Sequence, residues 1–154
     1  MGLYHEFGTV ELDSYNIYDS DDTDFVKIPD FLIQYMGDSL QWILSSWNDE
    51  EIKKGISYYG FSIVQGSEIV KLRDIIDSWM NLFQRAPSEF YLTGNYLIDE
   101  REYDKILVDK EMIIEILNQW KAKCELAIQN EWGLVHKGIQ ISRTRQGKSQ
   151  GPQK

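Results

Sequence analysis

Two stretches of the chain repeat apolar residues at helical spacing. Between residues 67 and 85, Ile69, Leu72, Ile76, Trp79, Met80 and Phe83 form one stripe, while Lys71, Arg73, Asp74 and Asp77 lie mostly off it. This spacing predicts an amphipathic helix, capped by Ser67 and ended near Arg85 by the Ala86-Pro87 pair. Beyond Asp109, itself a cap residue, Ile113, Ile116, Leu117, Trp120, Cys124 and Ala127 share a face, predicting a second long helix closed by Gly133. A third helical pattern starts at Pro29, with Phe31, Leu32, Tyr35, Met36, Leu40, Ile43, Leu44 and Trp47 in step and Gly37 interrupting. One broken helix or two short ones follow from it.

Elsewhere the pattern is that of strands. Residues 3–12 (LYHEFGTVEL), 57–64 (SYYGFSIV) and 134–141 (LVHKGIQI) are rich in aromatic and β-branched residues. Residues 89–97 and 102–108 flank the polar Asp99-Glu100-Arg101 and read as a β-hairpin. Residues 13–24 (DSYNIYDSDDTD) hold Asp, Ser and Asn, whose side chains compete for local backbone hydrogen bonds, and read as a loop. The expected fold is α+β: a mainly antiparallel sheet of four or five strands packed against two long helices plus one shorter or broken helix. Residues 1–141 suffice for one domain, and no internal repeat is present. The run RTRQGKSQGPQK after Ser142 contains no apolar residue. It cannot bury surface to offset its ordering entropy, so 142–154 is expected to be a disordered basic tail.

Charge changes this picture most. From Met1 to Glu51 there are twelve acids and one cation, Lys27, a formal charge of −11, together with nine aromatic residues. Residues 137–154 carry five cations and no acid, and the whole chain carries −9. Such a body is repelled by phosphate backbones and anionic lipid, so nucleic-acid binding through the folded part and membrane association are not expected. The four cations of the tail would give only weak, salt-sensitive attachment to nucleic acid. Carboxylates steer cationic partners, and aromatics supply short-range anchors. Cys124 is the only cysteine, which excludes an intrachain disulfide and fits a reducing compartment, with the cytoplasm as default.

Catalytic and metal motifs fare less well. Counted as an EF-hand from Asp19, the acidic loop places Asp24 where glycine is required and Asp30 where a bidentate Glu belongs. Gly147-Lys148-Ser149 ends like a phosphate-binding loop, but the upstream glycine position is Ser142. Glu100, Glu102 and Asp104 alternate along one predicted strand, which gives an exposed face rather than two carboxylates converging on a cleft. His5 and His136 are the only histidines, one near each end of the domain and neither beside a Cys, a second His or an acid at ligand spacing. Neither catalytic residues nor a metal or other cofactor is expected. Tyr15, Tyr18 and Phe25 fit two roles, a lid on the core or anchors at an interface. Trp47 likewise suits burial at a helix end or an anchor at an acidic rim.

The acidic segment DSYNIYDSDDTD and the strand-helix stretch GFSIVQGSEIVKLRDIIDSWMNLF give the chain a general character. It resembles the small bacterial immunity proteins that neutralise polymorphic or contact-dependent toxins. That resemblance implies a non-catalytic cytoplasmic inhibitor of a basic protein such as a nuclease toxin. The expected partner-binding residues are Asp13, Tyr15, Tyr18, Asp19, Asp21, Asp22 and Asp24, whose carboxylates would stand where the partner holds phosphate. A structural or regulatory adaptor whose acid serves solubility is the alternative, and a small hydrolase using an acid with His5 or His136 is a third.

Overall fold

The computed structural model of the protein describes residues 2–12, 24–48 and 51–139. Along them run β1 (Tyr4–Val10), β2 (Val26–Pro29), α1 (Asp30–Tyr35), α2 (Gly37–Leu40), β3 (Leu44–Trp47), β4 (Glu51–Lys54) and β5 (Phe61–Val64). Then follow α3 (Ser67–Phe83), β6 (Glu89–Leu97), β7 (Glu102–Asp109), α4 (Lys110–Asn130) and β8 (Gly133–Lys137). Six strands form one sheet in the order β2-β1-β8-β5-β3-β4, with every neighbouring pair antiparallel. The α+β class holds, but the expected sheet of four or five strands is corrected to six, with β6 and β7 standing apart as a two-stranded sheet.

Strand alternation decides the two faces. Phe7 and Ser62 both pair with His136, Val26 pairs with Phe7, and Ile28 pairs with His5, so all these side chains lie on one face. Helix α4 covers that face, its fully buried Trp120 ring 4.6 Å from Phe7. The buried stripe of α4 is Ile113, Leu117, Trp120, Lys123, Cys124 and Ala127, and that of α3 is Ile69, Leu72, Ile75, Ile76 and Phe83, close to the two stripes read from the sequence. Each such fully buried aliphatic side chain contributes about 1.5–3 kcal/mol of transfer free energy. Val10, Ile63 and Val135 make a smaller cluster on the opposite face, with Phe25 and Phe61 against it.

Several local expectations are corrected. The pattern from Pro29 does give two short helices, but Leu44–Trp47 is strand β3, paired with β4 and β5. Leu44 and Trp47 sit three residues apart in either case; backbone pairing overrode the helical spacing, and Leu44 is exposed. Gly66, not Ser67, occupies the cap of α3, with φ +59° and ψ −132°, a conformation open only to glycine, and no side chain caps the helix. Glu131 takes the left-handed position after α4, and Gly133 already belongs to β8. The Asp109 cap is present, its carboxylate accepting from the Met112 N–H at 3.0 Å. Residues 142–154 lie outside the described residues. No helix among the described residues is long and apolar enough to cross a membrane.

The hairpin keeps apart because it is amphipathic and inserted between the two long helices. Phe90, Leu92, Ile106 and Val108 pack on the core, while Tyr91 and Leu107, paired across the strands, are exposed. After β8 the chain runs against the 58–60 loop, where Gly138 N–H bonds Gly60 O and Ile139 N–H bonds Tyr58 O. A Cβ on Gly138 would collide with the Tyr58 carbonyl, whereas one on Gly37 would meet nothing within 4 Å. We therefore expect Gly138→Ala to cost about 1–3 kcal/mol in urea unfolding and Gly37→Ala to cost nothing measurable. Equal midpoints for the two variants would show that the 58–60 loop yields freely.

Candidate functional site

Pairing of β1 with β8 brings the two histidines together across 131 positions of sequence. Their rings stack at 5.1 Å between centroids, and both are fully buried. One donor-acceptor pattern satisfies every nitrogen. The carboxylate of Asp30 accepts from His5 Nε2–H at 2.9 Å, which leaves His5 Nδ1 to accept from His136 Nε2–H at 2.9 Å. His136 Nδ1 then accepts from the Ser62 hydroxyl at 3.3 Å, and that oxygen accepts from the Ser57 N–H at 2.7 Å. At the other end, Tyr58 OH donates to Asp30 Oδ1 at 2.6 Å and Gln34 Nε2 donates to Asp30 Oδ2 at 2.7 Å. The chain runs from Ser62 through His136 and His5 to Asp30, with all donors pointing toward the carboxylate.

Burial governs the electrostatics. It lowers the pKa of His5 even though the hydrogen bond and charge of Asp30 pull it upward. His136 falls well below its ordinary value, first through burial and then through His5. Both rings are therefore neutral near pH 7, and His5–Asp30 is a hydrogen bond rather than an ion pair. Burial, then the hydrogen bond to Asp30, pushes the Tyr58 phenol up to about 12. Burial likewise pushes the Cys124 thiol up to about 12, so it acts as a small apolar group.

The chain opens to solvent at its carboxylate end. Asp30, at the junction of β2 and α1, lines a groove of about 800 Å³ between α1, the β6–β7 hairpin and the start of α4. Phe31, Tyr35, Ile106 and Met112 give it apolar walls, and Asp30, Asp104 and Lys27 are its charged groups. The Asp30 side chain is 12% exposed, enough to reach a ligand, while Ser62 and both imidazoles are inaccessible. A nucleophile-base pair at Ser62 and His136 is thus closed to substrate. Each imidazole nitrogen is already engaged, and among the described residues no cluster of three or more His, Cys, Asp or Glu is placed to hold a metal ion.

Of the seven residues expected to bind a partner, Asp13, Tyr15, Tyr18, Asp19, Asp21 and Asp22 lie outside the described residues. Asp24 lies just before β2, its side chain 92% exposed and 3.6 Å from the ammonium of Lys123 on α4; it is not part of the groove. Phe25, beside it, packs half-buried on the Val10 cluster with the Lys137 ammonium 4.4 Å from its ring centre, which is the lid role. Trp47 is half-buried within β3, its indole N–H donating to Gly55 O at 3.2 Å. Glu102 and Asp104 are exposed on β7 but lie on the side that carries Ile106 and Val108 to the core, so Asp104 lines the groove with Asp30 instead of an outer hairpin face; Glu100 falls in the turn. The His5–His136–Asp30 chain was missed. Its signal was that each histidine sits at a core-facing position of its strand, in His5-x-Phe7 and Leu134-x-His136, where a buried imidazole needs partners.

No protein-family model, no curated protein and no solved structure matches the chain.

Two neutral imidazoles in the fold give stability a definite pH dependence. Their folded pKa values lie below the unfolded value of about 6.5, so the stabilisation is complete above that pH and is lost as pH falls through it. We expect urea stability to be flat from about pH 8 to 7 and then to fall toward pH 5, by up to about 1.4 kcal/mol per unit for each ring still neutral when folded. A level profile across this window would mean that the rings protonate freely in the folded protein.

Proposed function

We propose that the protein is a non-catalytic, acidic protein-binding domain, an immunity-type inhibitor that neutralises a basic protein such as a nuclease toxin in the cytoplasm. The observation that carries this reading is the groove, where two carboxylates, Asp30 and Asp104, outnumber the one cation, Lys27, among aromatic and aliphatic walls. Apolar surface with few placed charges is what an interface needs to anchor a partner's side chains. The charge of the chain adds steering, since its first third carries −11. Asp13, Tyr15, Tyr18, Asp19, Asp21, Asp22 and Asp24 remain the residues we assign to the wider contact.

A different observation favours the adaptor reading. On the hairpin, Tyr91, Tyr96, Tyr103 and Ile98 are at least half exposed, and Tyr96 and Tyr103 stack edge-on at 5.0 Å. Such a strip suits a partner held by apolar contact, with the acid serving solubility.

Capture of binding proteins from cells, compared at low and high salt, separates the two. For an inhibitor we expect a basic protein, released by about 0.5 M salt, whose activity the chain suppresses, and at least a tenfold slower association when Asp19, Asp21, Asp22 and Asp24 become Asn. An adaptor would hold its partner through that change and release it when Tyr91, Tyr96 and Tyr103 become Ser.

A further inference from the structure

We infer that the groove receives a lysine side chain of the basic partner, its ammonium donating to Asp30. This rests on the reading of the protein as a binder of basic proteins and specifies what the groove recognises. An ionised carboxylate offers roughly four acceptor positions. In Asp30, His5 and Tyr58 occupy two positions on Oδ1, and Gln34 occupies one on Oδ2. One position is left, on the oxygen nearer the exposed Gln34, and Asp30 is itself a wall of the groove.

A single acceptor position selects between cations. Guanidinium groups bind carboxylates best as a two-pronged fork, one prong to each oxygen, and here the prong to Oδ1 would have to displace His5 or Tyr58. An ammonium is a point charge that needs one acceptor and can turn its remaining protons to water or to aromatic faces. The walls fit the rest of the side chain. A four-carbon stem passing Phe31, Tyr35, Ile106 and Met112 buries its methylenes, and Asp104 supplies a second negative charge in the same groove, against the single positive charge of Lys27. The polar chain behind Asp30 holds the acceptor still: Oδ1 is fixed by two hydrogen bonds, from His5 of β1 at 2.9 Å and from Tyr58 of the loop before β5 at 2.6 Å.

The test uses fluorescence anisotropy with a fluorescein-labelled peptide of alternating lysine and glycine and its arginine counterpart, titrated with the full chain. We expect the lysine peptide to bind at least about threefold more tightly than the arginine peptide, and Asp30→Asn to weaken it about tenfold. Tyr58→Phe removes one donor from Oδ1 and keeps the ring against His5, so it frees an acceptor position on the second oxygen; it should erase or reverse the preference for lysine. Because Asp30→Asn also disturbs the buried chain, the His5 and His136 imidazole resonances of the unaltered protein give a second readout, and lysine peptide should shift those of His5. Arginine peptide bound as tightly as lysine peptide, a Tyr58→Phe variant with unchanged preference, or unmoved His5 resonances would overturn the lysine assignment while leaving a salt-dependent basic partner in place. Binding of neither peptide would overturn it too, and the capture experiment would then judge the acidic-inhibitor reading on its own.

Discussion

Asp30 sets the direction of every hydrogen bond in the buried polar chain. A carboxylate can only accept, so His5 must donate from Nε2, His136 must donate to His5, and Ser62 must donate to His136. Partly made, such a network would cost several kcal/mol, because each unpaired polar group in a low-dielectric interior loses its hydration without compensation. Fully made, it ties together β1, β8, β5, α1 and the loop before β5, elements drawn from both ends and the middle of the sequence. The three central strands of the sheet meet in this chain, and a slip of one residue in any of them would turn a histidine or Ser62 to the other face.

Rings reinforce the same line. Trp120 packs on Phe7, Phe7 on His136, His136 on His5 and His5 on Tyr58, with centroid separations of 4.6, 4.9, 5.1 and 5.2 Å. The apolar core under α4 thus passes without a gap into the polar chain and then to the surface at Tyr58. This arrangement lets a carboxylate be both firmly held and reachable. Asp30 has its back against buried histidines and its free side in the groove, which is the geometry a recognition site needs if it is not to lose affinity to side-chain motion.

The hairpin gives the groove its other wall, and its place in the sequence makes this possible. Inserted between α3 and α4 and paired only with itself, it lays Phe90, Leu92, Ile106 and Val108 on the core and leaves its outer surface bare. The edges of the main sheet are guarded in a different way. The edge strand β2 ends in Pro29 and carries an exposed Lys27, and the opposite edge, β4, exposes Lys53 and Lys54. Lysine and proline at edges discourage pairing with a further strand.

The sequence alone determined the two long helices, because stripes such as Ile69/Leu72/Ile76 and Ile113/Leu117/Trp120 repeat a local spacing that any core would bury. It also determined the hairpin, the Asp109 cap and the acidic character of the first third. Strands β2 and β4 were not legible: VKIP and EIKK are four residues each, too short for alternation to show, and only their neighbours make them strands. Leu44–Trp47 imitated a helix because spacing of three residues is blind to backbone pairing. The site was decided by tertiary structure altogether, since His5, Asp30, Tyr58, Ser62 and His136 are scattered through the chain and meet only through the order β2-β1-β8-β5. Hydrogen-bond chemistry is set by which groups touch, and contact between residues so distant in sequence is a property of the folded sheet rather than of any local pattern.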